Sequence, residues 1–494
     1  MNKIITFLLL FTLLSSCSLD TKSGIWTENN KITKKKIDNP IAKEKKDSKT
    51  ELVKKEKNLN NEYNSNLILK LSEVELQNNS LGRLTNNNRK SNFDSTIKNI
   101  SKYKFSKIKN FDYYEPEIAF EKKNVIFFEN NGNILKFNNS SKLVWEKNHY
   151  TKIEKKSKPM LYLAANDKKL IVADNLAKYY ALDIKTGNLL WSKSNSAPFN
   201  SQVKIHKGKI LVIDFNDVIR CYSANDGSEI WSLVTQKTFI KSEKKLSIAI
   251  KDEKVIFNNS IGDITAVNLE TGELLWQVPT QNNLLYENSF SFKTSELVIN
   301  ENSIFFSNNR NRFFSIDLDT GITNWFAKIN SSIKPVIVGD LIFTVSNEGL
   351  LVVLNKKNGF INRATSILTQ NKNTKISSIP KKNVKKLFGW GFGLKSGKNY
   401  KKSEDNNKNR KKVSGWNMGI IPVNNNTSII EPIGFVVGSK NIYLTLNNGK
   451  LLIIDIASGK TKTSIKIDNE KISAPFVSNN SLYIAKDNSI IRLN

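Results

Sequence analysis

"YALDIKTGNLLW", Tyr180 to Trp191, recurs without gaps as "RCYSANDGSEIW" (Arg220 to Trp231), "TAVNLETGELLW" (Thr265 to Trp276) and "FSIDLDTGITNW" (Phe314 to Trp325). Weaker copies follow at 351–363 and 452–463, a first copy ends at Trp145, and a truncated one, "SIIRLN", ends at Asn494. The Asp or Asn that opens the turn can accept a backbone hydrogen bond, and the Gly supplies a positive φ. The Trp four residues beyond that Gly then falls at a fixed place on the next strand.

A short apolar strand and a polar turn precede each copy, as in "KLIVADNLAKYYALD" and "KILVIDFNDVIRCYS". Every unit reads as strand, turn, strand, turn, strand, with no helical periodicity, which is the pattern of a β-meander. From about residue 103, leaving out an interruption, eight units share roughly 330 residues at roughly 41 each, the length of a four-stranded propeller blade. The fold class expected is therefore all-β, an eight-bladed β-propeller, with a seven-bladed ring and one displaced repeat as the alternative. Trp145, Trp191, Trp231, Trp276 and Trp325 are the expected blade-docking side chains. "SIIRLN" stops where an outer strand should follow, while "YKFSKIKN" (Tyr103 to Asn110) precedes the first full unit without a partner. Placing that N-terminal strand on the last blade would satisfy both sets of backbone groups.

Upstream, Met1-Asn2-Lys3, an apolar run from Ile4 to Leu14 and the small residues Ser15 and Ser16 have the organisation of a signal peptide, too short for a stable membrane span. The expected divisions are a signal at 1–16, a lipidated and largely disordered tether at 17–100, and a propeller at 101–494 with a basic insertion at 371–431. The tether is rich in Lys, Asn and Ser and cannot bury enough apolar surface to offset its ordering entropy. The net charge is +31. In a cytosolic protein that charge would suggest nucleic acid, a partner an exported chain does not meet. It leaves anionic surfaces, acidic partners or a chain-wide Lys and Asn bias.

No catalytic constellation is legible. His149 and His206 lie in separate units, the cysteines Cys17 and Cys221 are far apart, and "EDNNKNRKK" from Glu404 lacks the Gly and terminal Glu of a calcium loop. "GFGLKSGK" fails as a phosphate-binding loop, because Phe392 stands where the first Gly should be and Asn399 follows the Lys. No catalytic residue, metal or cofactor is expected. Within the insertion, Phe388, Trp390 and Phe392 alternate with glycines among lysines. Two uses stay open: a loop whose aromatics fold back on a blade, or a contact with a membrane interface or a partner's strand edge.

The spacing Ala181-x-Asp183-x-x-Thr186-Gly187-x-x-x-Trp191 resembles the tryptophan-docking repeat of the pyrroloquinoline-quinone propellers. That superfamily includes quinoprotein dehydrogenases and the BamB family, the non-catalytic scaffold lipoproteins of the outer-membrane β-barrel assembly machinery. "LLSSC", ending at Cys17, resembles a lipobox, which implies lipidation of Cys17; Ser18 after it implies the outer membrane, facing the periplasm. The dehydrogenases are similar to one another in using adjacent cysteines and a calcium site, which this sequence lacks. The resemblance therefore implies an assembly scaffold, not an enzyme. Its implied partners are the periplasmic domains of a BamA-like barrel protein, unfolded outer-membrane clients and the membrane, but no nucleic acid. A quinone-dependent oxidoreductase or a surface ligand-binding propeller remains the alternative. By the same resemblance, the segment "KTFIKSEK" (Lys237 to Lys244) would dock the barrel protein through Phe239, Ile240 and Lys241, with ordinary packing against the next strand as the other reading. The family's acidic pair has no clear match before "ELVINENS" (Glu296 to Ser303).

Overall fold

The computed structural model describes residues 59–71 and 85–88, and 91–367 and 430–494 apart from gaps at 92, 96, 98, 110, 112–115, 236–240, 243 and 281–291. Cys17, Phe239, Ile240, Phe388, Trp390 and Phe392 lie outside these residues.

Eight four-stranded antiparallel sheets follow one another. Strand β1 (Ile100–Lys104) stands apart in sequence from the sheet it completes. Blade 1 holds β2–β5 (119–147), blade 2 β6–β9 (161–194), blade 3 β10–β13 (204–234) and blade 4 β14–β17 (248–278). Blade 5 holds β18–β21 (298–327), blade 6 β22–β25 (336–366) and blade 7 β26–β29 (432–466). Blade 8 consists of β30–β32 (476–493), and its outer edge is β1. The eight-bladed reading holds and the seven-bladed alternative does not. Among the described residues the only helix is α1 (Lys152–Lys156), one turn between blades 1 and 2 started by a Thr151/Glu154 capping box.

The first three strands of a blade are near-continuous apolar runs, as in β7 (Lys169–Asp174) and β8 (Lys178–Asp183), because both their faces are covered by neighbouring blades. The fourth strand is mostly exposed, as in β9 (Leu189–Ser194). In blades 1 to 7 a β-bulge interrupts the pairing of third and fourth strands at the same place, for example between Ala181 and Leu182. In blades 1 to 5 the residue just before the shift faces the docking Trp, as Ala181 faces Trp191. The bulge re-aims the outer strand at the blade beyond.

The Asp-x-x-Thr-Gly turn is built as the sequence indicates. Asp183 Oδ1 accepts from the Lys185 and Thr186 backbone nitrogens at 3.0 and 2.8 Å and from Thr186 Oγ1 at 2.9 Å, while Gly187 adopts φ 72°. The Thr186 backbone donor, then its hydroxyl, hold the exposed Asp183 carboxyl below its ordinary value. In blade 3 the Ser223 hydroxyl, then Ser228, pull Asp226 down to about 2.

Ring closure is as expected in principle, with shifted bounds: the closing strand is Ile100–Lys104, and Ile100 to Lys104 pair with Leu493 to Ser489. Tyr103, fully buried, packs its ring on Phe137 of blade 1 and Tyr483 of blade 8, with ring centroids 5.7 and 6.4 Å away. Part of the expected tether is packed onto the propeller. Leu59, Leu69 and Leu71 contact the blade 6 and 7 cores, Asn87 and Asn88 are buried, and Phe93 is buried against Tyr443 at 4.9 Å. Leu69 and Leu71 fall in the segment around Leu67 to Leu76 whose apolar character is legible in the sequence, whereas Asn87, Asn88 and Phe93 escaped a compositional reading because each finds its partner on a distant blade.

Tyr103→Ala should lower the unfolding free energy by about 3 kcal/mol, as for other large core deletions; an unchanged denaturant midpoint would contradict the closure. Carboxyl titration by NMR should find the Asp183 and Asp226 midpoints below those of model carboxylates. Since the folded-state values are depressed, their stabilisation is present above the ordinary carboxylate range and fades as pH falls through the lowered midpoints.

Candidate functional site

The repeated tryptophans make the seams. Each sits on the outer strand of one blade and lies over the turn glycine of the next: Trp191 over Gly227, Trp231 over Gly272, Trp276 over Gly321 and Trp325 over Gly359. A Cβ on Gly272 would stand 2.5 Å from Trp231 Cδ2, so this position is closed to any side chain, and its φ of 74° disfavours one independently. The indole Nε1 donates to the carbonyl three residues before that glycine: Trp231 to Leu269 at 3.0 Å, Trp276 to Leu318 at 3.1 Å, Trp325 to Lys356 at 3.0 Å and Trp191 to Ala224 at a longer 3.4 Å. At the first seam Lys136 Nζ takes the corresponding carbonyl of Ile184 at 2.9 Å, and buried Trp145 Nε1 has no partner.

Blade 6 departs from the series. Arg363 occupies the tryptophan position, four residues after Gly359, and is fully buried. Its guanidinium donates to Ile456 O at 2.8 Å, to Ala457 O, and at 3.0 Å to Leu67 O of the N-terminal segment. The signal was present in the repeat spacing, but its meaning depends on a segment almost 300 residues earlier. Beside it, Tyr63 forms an antiparallel bridge to Ala364 on the outer edge of blade 6, with N···O distances of 3.0 and 2.8 Å in the two directions. An extended segment is thus seated on a blade's outer edge.

The outer edges of blades 2 to 5 carry no further strand among the described residues. Leu189, Leu190, Ile230, Leu274, Leu275 and Phe326 on or at these edges are about half exposed. They combine an unpaired backbone edge with apolar side chains, the arrangement that accepts an added strand.

The blade-connecting segments share a face with the turns between second and third strands, as Thr235 N bonding to Asp217 O shows for blade 3. Lys241 lies there, 2.8 Å from Asp217 Oδ2, and Asp217 also accepts from Ser260 N and Oγ at 2.8 and 2.6 Å. Phe215, 44% exposed, has Lys241 Nζ 6.0 Å from its ring centre. The sequence reading passed over Phe215 because it sits in a turn. Ile367, which precedes the expected insertion at 371–431, and Ile430, which falls at its end, belong to connections on this same face.

The axial pocket opens between the starts of the innermost strands. Lys245 of blade 4 reaches Glu117 of blade 1 at 2.7 Å, and Glu296 accepts from Lys334 at 2.5 Å and from Gln202 at 2.9 Å. Among the described residues no three His, Cys, Asp or Glu side chains are grouped to hold a metal ion. His149 and His206 lie apart, each lowered by burial, and burial pushes the Cys221 thiol up to about 12. Carboxylates already matched to lysines and a lone inert thiol do not fit a quinone cofactor held beside a divalent cation.

A family profile described as outer membrane protein assembly factor BamB matches residues 130–365, from blade 1 to the outer strand of blade 6. The chain is an eight-bladed propeller whose repeats resemble those of the pyrroloquinoline-quinone-like repeat proteins, and among these it resembles BamB. The outer membrane protein assembly factor BamB of Moranella endobia (strain PCIT) is 23% identical over 194 residues, 39% of this chain and 50% of that protein. The match thus spans about half the length of that relative. The crystal structure of BamB from Moraxella catarrhalis superposes with a TM-score of 0.57 at 14% identity, over 80% of this chain and all of that one. The quinohemoprotein alcohol dehydrogenase from Comamonas testosteroni gives 0.55 at 10% identity, over 84% and 80%. Such likenesses establish the propeller and leave its chemistry to the site.

Trp231→Ala should lower stability by about 3–5 kcal/mol, and Gly272→Ala by more than about 1 kcal/mol, both read from urea midpoints. If Gly272→Ala were neutral, the seam geometry would be wrong.

Proposed function

We propose that this chain is a non-catalytic scaffold lipoprotein of outer-membrane protein assembly, held at the periplasmic side of the outer membrane through Cys17. The sequence match to the BamB profile over residues 130–365 carries this reading. The chemical inventory supports it: no described cluster suits catalysis, and the surfaces left open suit protein contacts. The segment around Lys241 and Phe215 is the docking region for a BamA-like partner, with Phe239, Ile240 and the insertion bearing Phe388, Trp390 and Phe392 as further contacts. Unfolded outer-membrane clients pair with the free outer edges of blades 2 to 5. The Tyr63 bridge on blade 6 supports that use, since it is the same kind of pairing made within one chain.

Phe215→Ala separates docking from folding, because an exposed turn side chain contributes little to stability. It should leave the unfolding midpoint within about 0.5 kcal/mol of the parent and weaken recovery of a barrel protein with periplasmic repeat domains in a mild-detergent pull-down. Full recovery would remove Phe215 from the interface. Failure of the unaltered lipidated protein to retain any such barrel would sink the scaffold reading, and binding of pyrroloquinoline quinone with calcium would favour the oxidoreductase. Cys17→Ser should release the protein from membranes and abolish labelling with a palmitate analogue.

A further inference from the structure

Four consecutive residues outside the blades, Thr85 to Asn88, meet the innermost strands of four consecutive blades. The Thr85 carbonyl accepts from Ile250 N in blade 4 at 2.8 Å, and the Asn86 carbonyl from Ile299 N in blade 5 at 2.9 Å. The Asn88 side chain matches both backbone groups of Ile337 in blade 6: Oδ1 accepts from its nitrogen at 3.0 Å and Nδ2 donates to its carbonyl at 3.1 Å. Asn87 Nδ2 donates at 2.9 Å to each of Ile248 O and Leu297 O, while its Oδ1 accepts from Lys204 Nζ of blade 3 at 2.5 Å.

Two features distinguish this from casual packing. Both amide side chains are buried, at 3% exposure each, and Asn87 has its two donors and its acceptor matched, which a buried amide requires. Asn87 also adopts φ 59°, a conformation that Asn tolerates better than most residues. The groups it serves lie on the inner edges of the blades, where the sheet ends and no further strand can pair. Beyond Asn88, Ser91 N donates to Val437 O on the inner strand of blade 7 at 3.2 Å. Phe93 then crosses Gly438 so closely that a Cβ there would fall on its carbonyl, and the chain enters β1.

We propose that Thr85–Asn88 is an axial plug, a segment of the chain that caps backbone groups on the inner edges of blades 4 to 6 and pins the N-terminal segment to the ring. These three inner edges are then not free to pair with a peptide. This holds whatever partner the propeller serves.

Hydrogen exchange on the full chain, resolved to single amides, tests it. The amides of Ile250, Ile299 and Ile337 should be protected as strongly as the mid-strand amide of Ile256. In Asn87→Ala/Asn88→Ala the first three should exchange at least tenfold faster, with Ile256 unchanged. Lys204, 5% exposed in the parent, should become reactive to an amine-acetylating reagent only in the variant. Loop-like exchange of the three amides in the unaltered protein, or equal exchange and equal Lys204 labelling in both proteins, would overturn the plug. Should the double variant misfold, the unaltered protein still decides, because its three amides are either protected or not.

Discussion

The contact between a tryptophan on one blade and a glycine on the next is the constraint from which the rest of the propeller follows. It is a contact between successive repeats, not within one, so no blade holds its motif in a finished form until its neighbour is present. The large indole face and the Cβ-free turn fit only each other, and the indole N–H fixes the register by bonding a carbonyl three residues ahead of the glycine. Nearest-neighbour docking of this kind makes the ring's stability a sum of seams. At the seam between blades 6 and 7, where the tryptophan is absent, Arg363 bonds the same carbonyl position in blade 7 and recruits Leu67 as a further acceptor.

That substitution links the ring to its N-terminal segment. Residues 59–71 lie over the blade 6 and 7 seam, 85–88 cap the inner edges of blades 4 to 6, and 91–104 pass along blade 7 to complete blade 8. The polar character of these stretches, which by composition resembles a solvated linker, serves a different purpose. Thr and Asn backbone and amide groups supply what strand edges leave unsatisfied, and water is replaced by matched donors and acceptors.

The positive charge also acquires local structure. Lysines at strand starts cross to the turn of the next blade, as Lys209 to Glu270 at 2.6 Å and Lys169 Nζ to Ala224 O at 2.6 Å. Exposed pairs of this type contribute at most about 1 kcal/mol each. Around the axial mouth the pairs are less exposed, and one of them, Lys245 with Glu117, joins blades that are not adjacent.

Taken alone, the sequence determined the all-β class, the eight units, the turn chemistry at Asp183 and Gly187, and the closure of the last blade by an N-terminal strand. These follow from local spacing, which is a property of the chain itself. Only the tertiary structure decided that Arg363 replaces a tryptophan in function, that Phe215 stands beside Lys241, and that Asn87 and Asn88 reach the axis. Each depends on groups 26 to 296 residues apart in sequence being brought into contact. Periodicity records which face a residue occupies within its own repeat, and carries no information about which distant blade that face will meet.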